Sequence, residues 1–353
     1  MSEQMVRLTL KPSQAASVIS KSLKANRVPM LHSSPGIGKS DIVHSVAEKY
    51  NLKVIDLRLS QCEPQDLLGF PYTDTARNKA GYIPMETFPI KGDPLPLRED
   101  GTPYKGWLLF LDELTSAPPE VQGSAYKLIL DRMVGVHKVH EKVAMVGAGN
   151  LESDNAVVHP MSTALQSRLV HLELRLDMLE WINWAIDHKI DHRITDFIQF
   201  KPTNLHTFSP DHTDKTYACP RTWKFTDDVL KACDNNVDDP DFLYLASGCV
   251  GEGVAREFTI FCKIYMSLPK ISDILIAPDT ITMPNDPSIL YALSGSVAAH
   301  VKEDTLDKLM NFINRMPAEF QVITLRYIMK RNPSFRTNPA ILNWLQTKGS
   351  QFV

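Results

Sequence analysis

With 353 residues, the chain is long for one hydrophobic core and points to two domains or a domain with a substantial lid. Its 43% hydrophobic and 22% charged residues are ordinary for a soluble globular protein, without internal repeat or low-complexity tract. A net charge of −3 supplies no whole-molecule drive toward nucleic acid or anionic membrane.

Taken in order, Met1 to Ser20 lacks the continuous apolar run of a leader, and no later stretch approaches a membrane span. Residues 1–26 read as a lead-in helix, because Ala15, Val18, Ile19, Ser22 and Leu23 recur at helical spacing. The short apolar run Val28-Pro29-Met30-Leu31 precedes His32-Ser33-Ser34-Pro35-Gly36-Ile37-Gly38-Lys39-Ser40. A strand, a glycine-containing loop and Lys-Ser opening a helix is an arrangement that wraps a nucleotide's phosphates. Backbone N–H groups and the helix dipole face the anion. Lysine reaches the terminal phosphates, and the serine hydroxyl can ligate Mg²⁺. The residues expected at the nucleotide are Ser34, Pro35, Gly36, Ile37, Gly38, Lys39, Ser40 and Asp41. Ser33 stands where the G-x-x-x-x-G-K-[ST] pattern has its first glycine.

Ile42, Val43, Val46, Ala47 and Tyr50 form the apolar face of a helix starting at Lys39, and Val54–Leu59 reads as a second strand. Residues 69–106 are rich in proline and glycine and offer no long period, either a surface excursion with a small hairpin or a substrate- or pore-facing insertion. Trp107-Leu108-Leu109-Phe110-Leu111 is apolar on both faces, as in a central parallel strand, and ends in Asp112-Glu113. A helix over Val121–Met133, a strand Val143–Val146 ending in Gly147-Ala148-Gly149-Asn150, and a strand Leu169–Leu174 follow. Strands alternating with helices predict an α/β fold with a parallel sheet and ligands at the strands' carboxyl ends. From about 175 the pattern is helical. Met178, Trp181, Ile182, Ala185 and Ile186 share one face, as do Leu306, Leu309, Met310 and Ile313. His188 and His192, spaced i,i+4, read as a solvated face, with no third metal ligand in view. The five cysteines form no C-x-x-C pair and read as reduced thiols of a cytoplasmic protein, bacterial or viral within a host.

Hydrolysis of a nucleoside triphosphate needs charge neutralisation, a metal carboxylate, a water activator and a γ-phosphate sensor. Lys39, Asp112, Glu113 and Asn150 are the candidates, with Ser40 and Asp112 as metal ligands. The phosphate loop, Leu-Phe-Leu-Asp-Glu, Gly-Ala-Gly-Asn and Ala164-Leu165-Gln166-Ser167-Arg168 together resemble the AAA+ ATPases, and among them the MoxR-like branch. Cys219-Pro220-Arg221-Thr222-Trp223 resembles the second-sensor motif of that family's lid. The resemblance covers roughly residues 25–235.

It implies ATP and Mg²⁺ as cofactors, Glu113 as water activator and Asn150 as first sensor. It also implies Arg168 as the arginine reaching a neighbouring subunit's nucleotide and Arg221 as the lid arginine at the γ-phosphate. Arg132 is a rival for the trans role, while Arg168 could instead cap a helix or pair with Glu173. The family further implies a five-stranded parallel core, a homo-oligomeric ring (usually a hexamer), and chaperone-like remodelling or maturation of a protein substrate. A partner with a von Willebrand factor A domain belongs to the same picture. The expected organisation is a nucleotide-binding core over 1–175, with an insertion at 69–106 and a hairpin at 133–142, a helical lid over 176–268 and a helical region over 269–353. The competing readings are an AAA+ motor or loader on nucleic acid, which the near-neutral charge disfavours, and a nucleotide-gated binding protein with little turnover, for which Ser33 is the only sequence support.

Overall fold

The structure, a computed structural model, describes residues 8–349 except 77, 155–158 and 267. It divides into two compact units, Met1–Asp177 with Ser209–His212, and Met178–Phe208 with Thr213–Val353.

The first unit begins with β1 (Thr9–Leu10), α1 (Pro12–Lys24), β2 (Val28–His32), α2 (Lys39–Lys49) and β3 (Lys53–Arg58). A short α3 (Pro64–Leu68) leads into a hairpin of β4 (Phe70–Asp74) and β5 (Lys79–Ile83). Then come β6 (Trp107–Asp112), α4 (Pro119–Asp131), a small hairpin of β7 (Met133–Val134) and β8 (His137–Lys138), β9 (Val143–Gly149), α5 (Thr163–Gln166) and β10 (Leu169–Leu174). Six strands form one sheet in the order β1-β10-β2-β9-β6-β3, and every pairing is parallel. The expected parallel core is present, with β1 added as a short sixth strand.

The continuous apolar run of β6 follows from this layering. Leu108 and Phe110 pack with Ala15 and Ile19 of α1 and Val43 and Val46 of α2 on one face. Leu109 and Leu111 pack with Val121, Ala125 and Leu128 of α4 on the other. Each fully buried Leu or Phe contributes about 1.5–3 kcal/mol of hydrophobic stabilisation, so a strand covered on both sides tolerates no polar position. α1 and α4 start with proline in their first turn, where its missing N–H costs nothing. α4 stops at Asp131, earlier than its apolar period suggests, because Arg132 takes a left-handed conformation (φ 53°) and turns the chain into β7.

The second unit is helical. It contains α6 (Met178–Asp187), α7 (His192–Phe200), α8 (Pro220–Ala232), α9 (Phe242–Val250), α10 (Glu252–Met266), α11 (Ile271–Ile276), α12 (Pro287–His300), α13 (Leu306–Ile313), α14 (Ala318–Arg331) and α15 (Pro339–Thr347). The Phe197, Trp223 and Phe258 rings meet at 5.5–5.7 Å, in tilted and edge-on arrangements that suit aromatic quadrupoles. A second cluster includes Leu293, Val297, Phe312, Ile328 and Trp344. α7 and α10 both pack on α12, so helices on either side of the stretch from Pro269 to Pro287 belong to one unit. His188 and His192 lie on either side of a helix break: His188 stacks on Trp184, while His192 opens α7 and is mostly buried. No described helix is long and apolar enough to cross a membrane.

Candidate functional site

In an all-parallel sheet the carboxyl ends of the strands share one edge. Here the segments leaving β2, β9, β6 and β3 emerge side by side along it. They carry Ser33–Ser40, Asn150, Asp112-Glu113 and Arg58–Ser60.

Gly36 (φ 77°) and Gly38 (φ 96°) supply the left-handed backbone that turns the loop into α2, with Gly38 at the helix cap. Ser33 is not among the residues with positive φ, so a side chain at its position costs no backbone strain. It is fully buried and makes its own bonds. Its hydroxyl donates to the Ser34 carbonyl at 2.9 Å and accepts from Lys39 Nζ at 3.1 Å. The same amine donates to the Ser33 carbonyl and to Asn150 Oδ1, both at 3.0 Å. Ser40 and Asp41 lie in the first turn of α2, where an acidic side chain complements the helix dipole. Ser34 donates to Asp154 Oδ1 at 3.3 Å.

Asp112 ends β6 and accepts from the Glu113 N–H at 2.9 Å. Burial pushes its carboxyl above the ordinary value, the Asp56 and Glu113 carboxylates add to the shift, and the Glu113 N–H and Lys39 oppose it. Glu113 follows in a left-handed conformation (φ 55°), unusual for a residue with a side chain. Its carboxylate accepts from the Ser60 hydroxyl and lies 3.9 Å from Arg58 Nε. Asn150 leaves β9 with its N–H donating to Thr115 Oγ1 at 3.1 Å. Gly149 permits that approach, since a Cβ there would collide with the Thr115 side chain.

Lys39, Asp112, Glu113 and Asn150 thus converge at one edge of the sheet. Arg168 does not join them directly. It is exposed, donates to the Ala164 carbonyl at 3.0 Å and to Ser167 Oγ at 2.8 Å, and lies 5.4 Å over the Tyr126 ring. The bond to the Ala164 carbonyl is a contact of the helix-capping kind, the alternative to the trans role. Arg132 donates to the carbonyl of Val143, the first residue of β9, whereas Asn150 leaves that strand's other end. Seven residues of strand span roughly 20 Å, which places this rival arginine at the opposite edge of the sheet. Arg221 lies in the second unit, exposed in the first turn of α8. Trp223 anchors that turn through an indole bond to the Asn204 carbonyl at 2.8 Å.

The insertion carries the β4–β5 ribbon, which leaves Phe70, Tyr72, Tyr82 and Ile83 exposed. The small hairpin meets it where His137 Nε2 contacts the Tyr82 carbonyl at 2.7 Å, and its turn exposes Val136. Sequence reasoning missed the partners of the recognised residues: the Ser33 hydroxyl, Ser60 and Arg58 on Glu113, Thr115 under Asn150, and Asp154. A usable signal existed for Arg58 and Ser60, polar residues at the end of the strand beside β6.

No family model matches the sequence, and no curated relative does. Among solved structures, the chain is similar to NtrX from Brucella abortus at 14% identity, covering 93% of this chain and 69% of that one with a TM-score of 0.42. It is also similar to a mutant form of Thermotoga maritima RuvB at 16% identity, covering 85% and 89% with a TM-score of 0.39. A further similarity is to the Thermotoga maritima RuvB Holliday junction branch migration motor, at 15% identity, covering 84% and 83% with a TM-score of 0.37. At these values the architecture rests on the chain's own strands and helices.

Proposed function

We propose that the protein is a Mg²⁺-dependent ATPase of the MoxR-like AAA+ type. It works as a ring, a hexamer in the family's usual form, and uses hydrolysis to remodel or mature a protein partner. The observation that carries this reading is the convergence of Lys39, Asp112, Glu113 and Asn150 at one sheet edge, with Lys39 hydrogen-bonded to Asn150. Lys39 and the loop amides hold the β- and γ-phosphates. Glu113 accepts the proton of the attacking water, and Asn150 orients that water against the γ-phosphate. Arg168 serves the neighbour's nucleotide, and Arg221 contacts the γ-phosphate from the lid.

The donor set suits a hard cation: oxygen ligands only, with Asp112 crowded by two further carboxylates. Among the described residues no three His, Cys, Asp or Glu side chains gather to hold a metal alone, so Ser40 and Asp112 would complete a shell supplied chiefly by the nucleotide. Bound there, Mg²⁺ neutralises phosphate charge. The exposed aromatics of the β4–β5 ribbon suit contact with a protein substrate, or with a partner such as a von Willebrand factor A domain protein.

Glu113→Gln is the test. Turnover should fall about 100-fold or more while ATP binding survives, as expected when the water-activating group loses its basicity. Turnover retained in that variant would sink the assignment. The Ser60 hydrogen bond to Glu113 and the Arg58 guanidinium 3.9 Å away favour an ATPase whose turnover depends on releasing that carboxylate.

A further inference from the structure

Two histidines stand between the phosphate loop and the segment bearing Arg168. His32 ends β2 and directly precedes Ser33, the partner of Lys39. Its Nε2 lies 2.9 Å from Nδ1 of His171 on β10, and the rings stack at 5.2 Å with 22° between their planes. His171 Nε2 in turn lies 3.0 Å from the carbonyl of Gln166, the last residue of α5 and two before Arg168. A carbonyl only accepts, so His171 Nε2 carries the hydrogen. In the neutral ring Nδ1 is then the acceptor for His32 Nε2–H.

The bonds form a continuous chain: Lys39 to Ser33, His32 to His171, His171 to Gln166. From there Gln166 Nε2 reaches back to the Met161 carbonyl at 3.1 Å. Core packing does not force this arrangement, because His171 and Gln166 are both exposed. Water has access to the His171 ring there, yet the rings are stacked and bonded in sequence. Burial first, then the neighbouring His171 imidazole and the Lys39 ammonium, hold His32 down at about 4, so the loop side of the chain adds no charge beside Lys39 at neutral pH.

We propose that His171 is a positioning residue for Arg168, braced from the phosphate-loop strand by His32, so that a subunit's own nucleotide loop and the arginine it lends to its neighbour are held in register. The proposal rests on the reading of Arg168 as a trans arginine. Its test uses the full chain. His171→Phe keeps the ring and the stack but loses both nitrogens; His171→Gln keeps one acceptor and one donor on a side-chain amide. His171→Phe should lose roughly tenfold or more in kcat, the scale of a small misplacement of a catalytic group. Binding of a fluorescent ATP analogue should stay within about twofold, since the loop's own phosphate contacts persist. His171→Gln should recover most of the loss.

Mixing His171→Phe with Lys39→Ala subunits should restore turnover, because the latter lend an intact Arg168 to a loop that still binds ATP. Wild-type kcat in His171→Phe overturns the proposal. So does a lost ATP affinity that mixing does not repair, since the residue would then act only on its own loop. If His171→Phe does not fold, His171→Ala with added imidazole decides: rescued turnover supports the relay, and its absence removes it. Arg168→Ala in the same assay tests the underlying reading separately, because wild-type turnover there would refute the trans arginine whatever His171 does.

Discussion

Glu113 is the residue on which the proposed chemistry turns, and the structure holds it to Ser60 and Arg58 in a left-handed backbone. A hydrogen bond to a charged group is worth about 1.5–3 kcal/mol, so removing the Ser60 hydroxyl shifts the balance of held and released carboxylate by more than tenfold. Ser60→Ala should therefore raise basal ATP hydrolysis, by about threefold or more if release of Glu113 is limiting, with nucleotide affinity unchanged. An unaltered kcat would show that release is not limiting. In the second unit, Asp196 is fully buried with neither carboxylate oxygen hydrogen-bonded among the described residues. Burial pushes its carboxyl well above the ordinary value, against the nearby Arg331. A raised value means that the folded chain binds the proton more tightly than the unfolded chain. This group's contribution to stability is therefore full below about pH 4 and is lost as pH rises toward the raised value. Chemical denaturation of Asp196→Asn at pH 5 and 8 should show a smaller loss of stability over that interval than the parent does. Equal losses would reject the assignment.

The elements were legible wherever a periodic apolar face coincided with a chemical signal. β6 announced itself as a run apolar on both faces, and β2 as a strand leading into glycines and Lys-Ser. β1 and α3 were not legible. β1 has two residues and α3 has five, too few for any period to declare itself. The partners of the site escaped for a different reason: Ser60, Thr115 and His171 are near it only because β3 lies beside β6, β6 beside β9 and β10 beside β2 in a sheet whose order is not written in local sequence. Gly149 shows how finely an element can be tuned. Gly149→Ala would push the end of β9 against Thr115, costing about 1–3 kcal/mol of stability through overpacking and shifting Asn150. Paired thermal unfolding and ATPase measurements should show both losses. Turnover kept at the parental rate would argue that Asn150's placement matters little.

For the whole molecule, the proposed reading of Arg168 as an arginine lent to a neighbour makes the site half of a catalytic unit. Specific ATPase activity should then rise with protein concentration until assembly saturates, in step with the oligomer seen by light scattering. Constant specific activity from a monomer would remove the ring from the proposal.

The ribbon of β4 and β5 has a consequence for taking the molecule apart. Gly69, just before it, approaches the Ile83 carbonyl and lies against Pro84 Cα, so the chain enters and leaves the ribbon at nearly the same point. No described residue between Phe70 and Ile83 belongs to the core cluster beneath it, which draws instead on Leu67, Phe88 and the partly buried Met85. Nature has in effect built a detachable cassette. Replacing residues 70–83 with a brief glycine-serine link should leave cooperative unfolding and nucleotide affinity intact, while stripping the protein of any grip exercised through those aromatics.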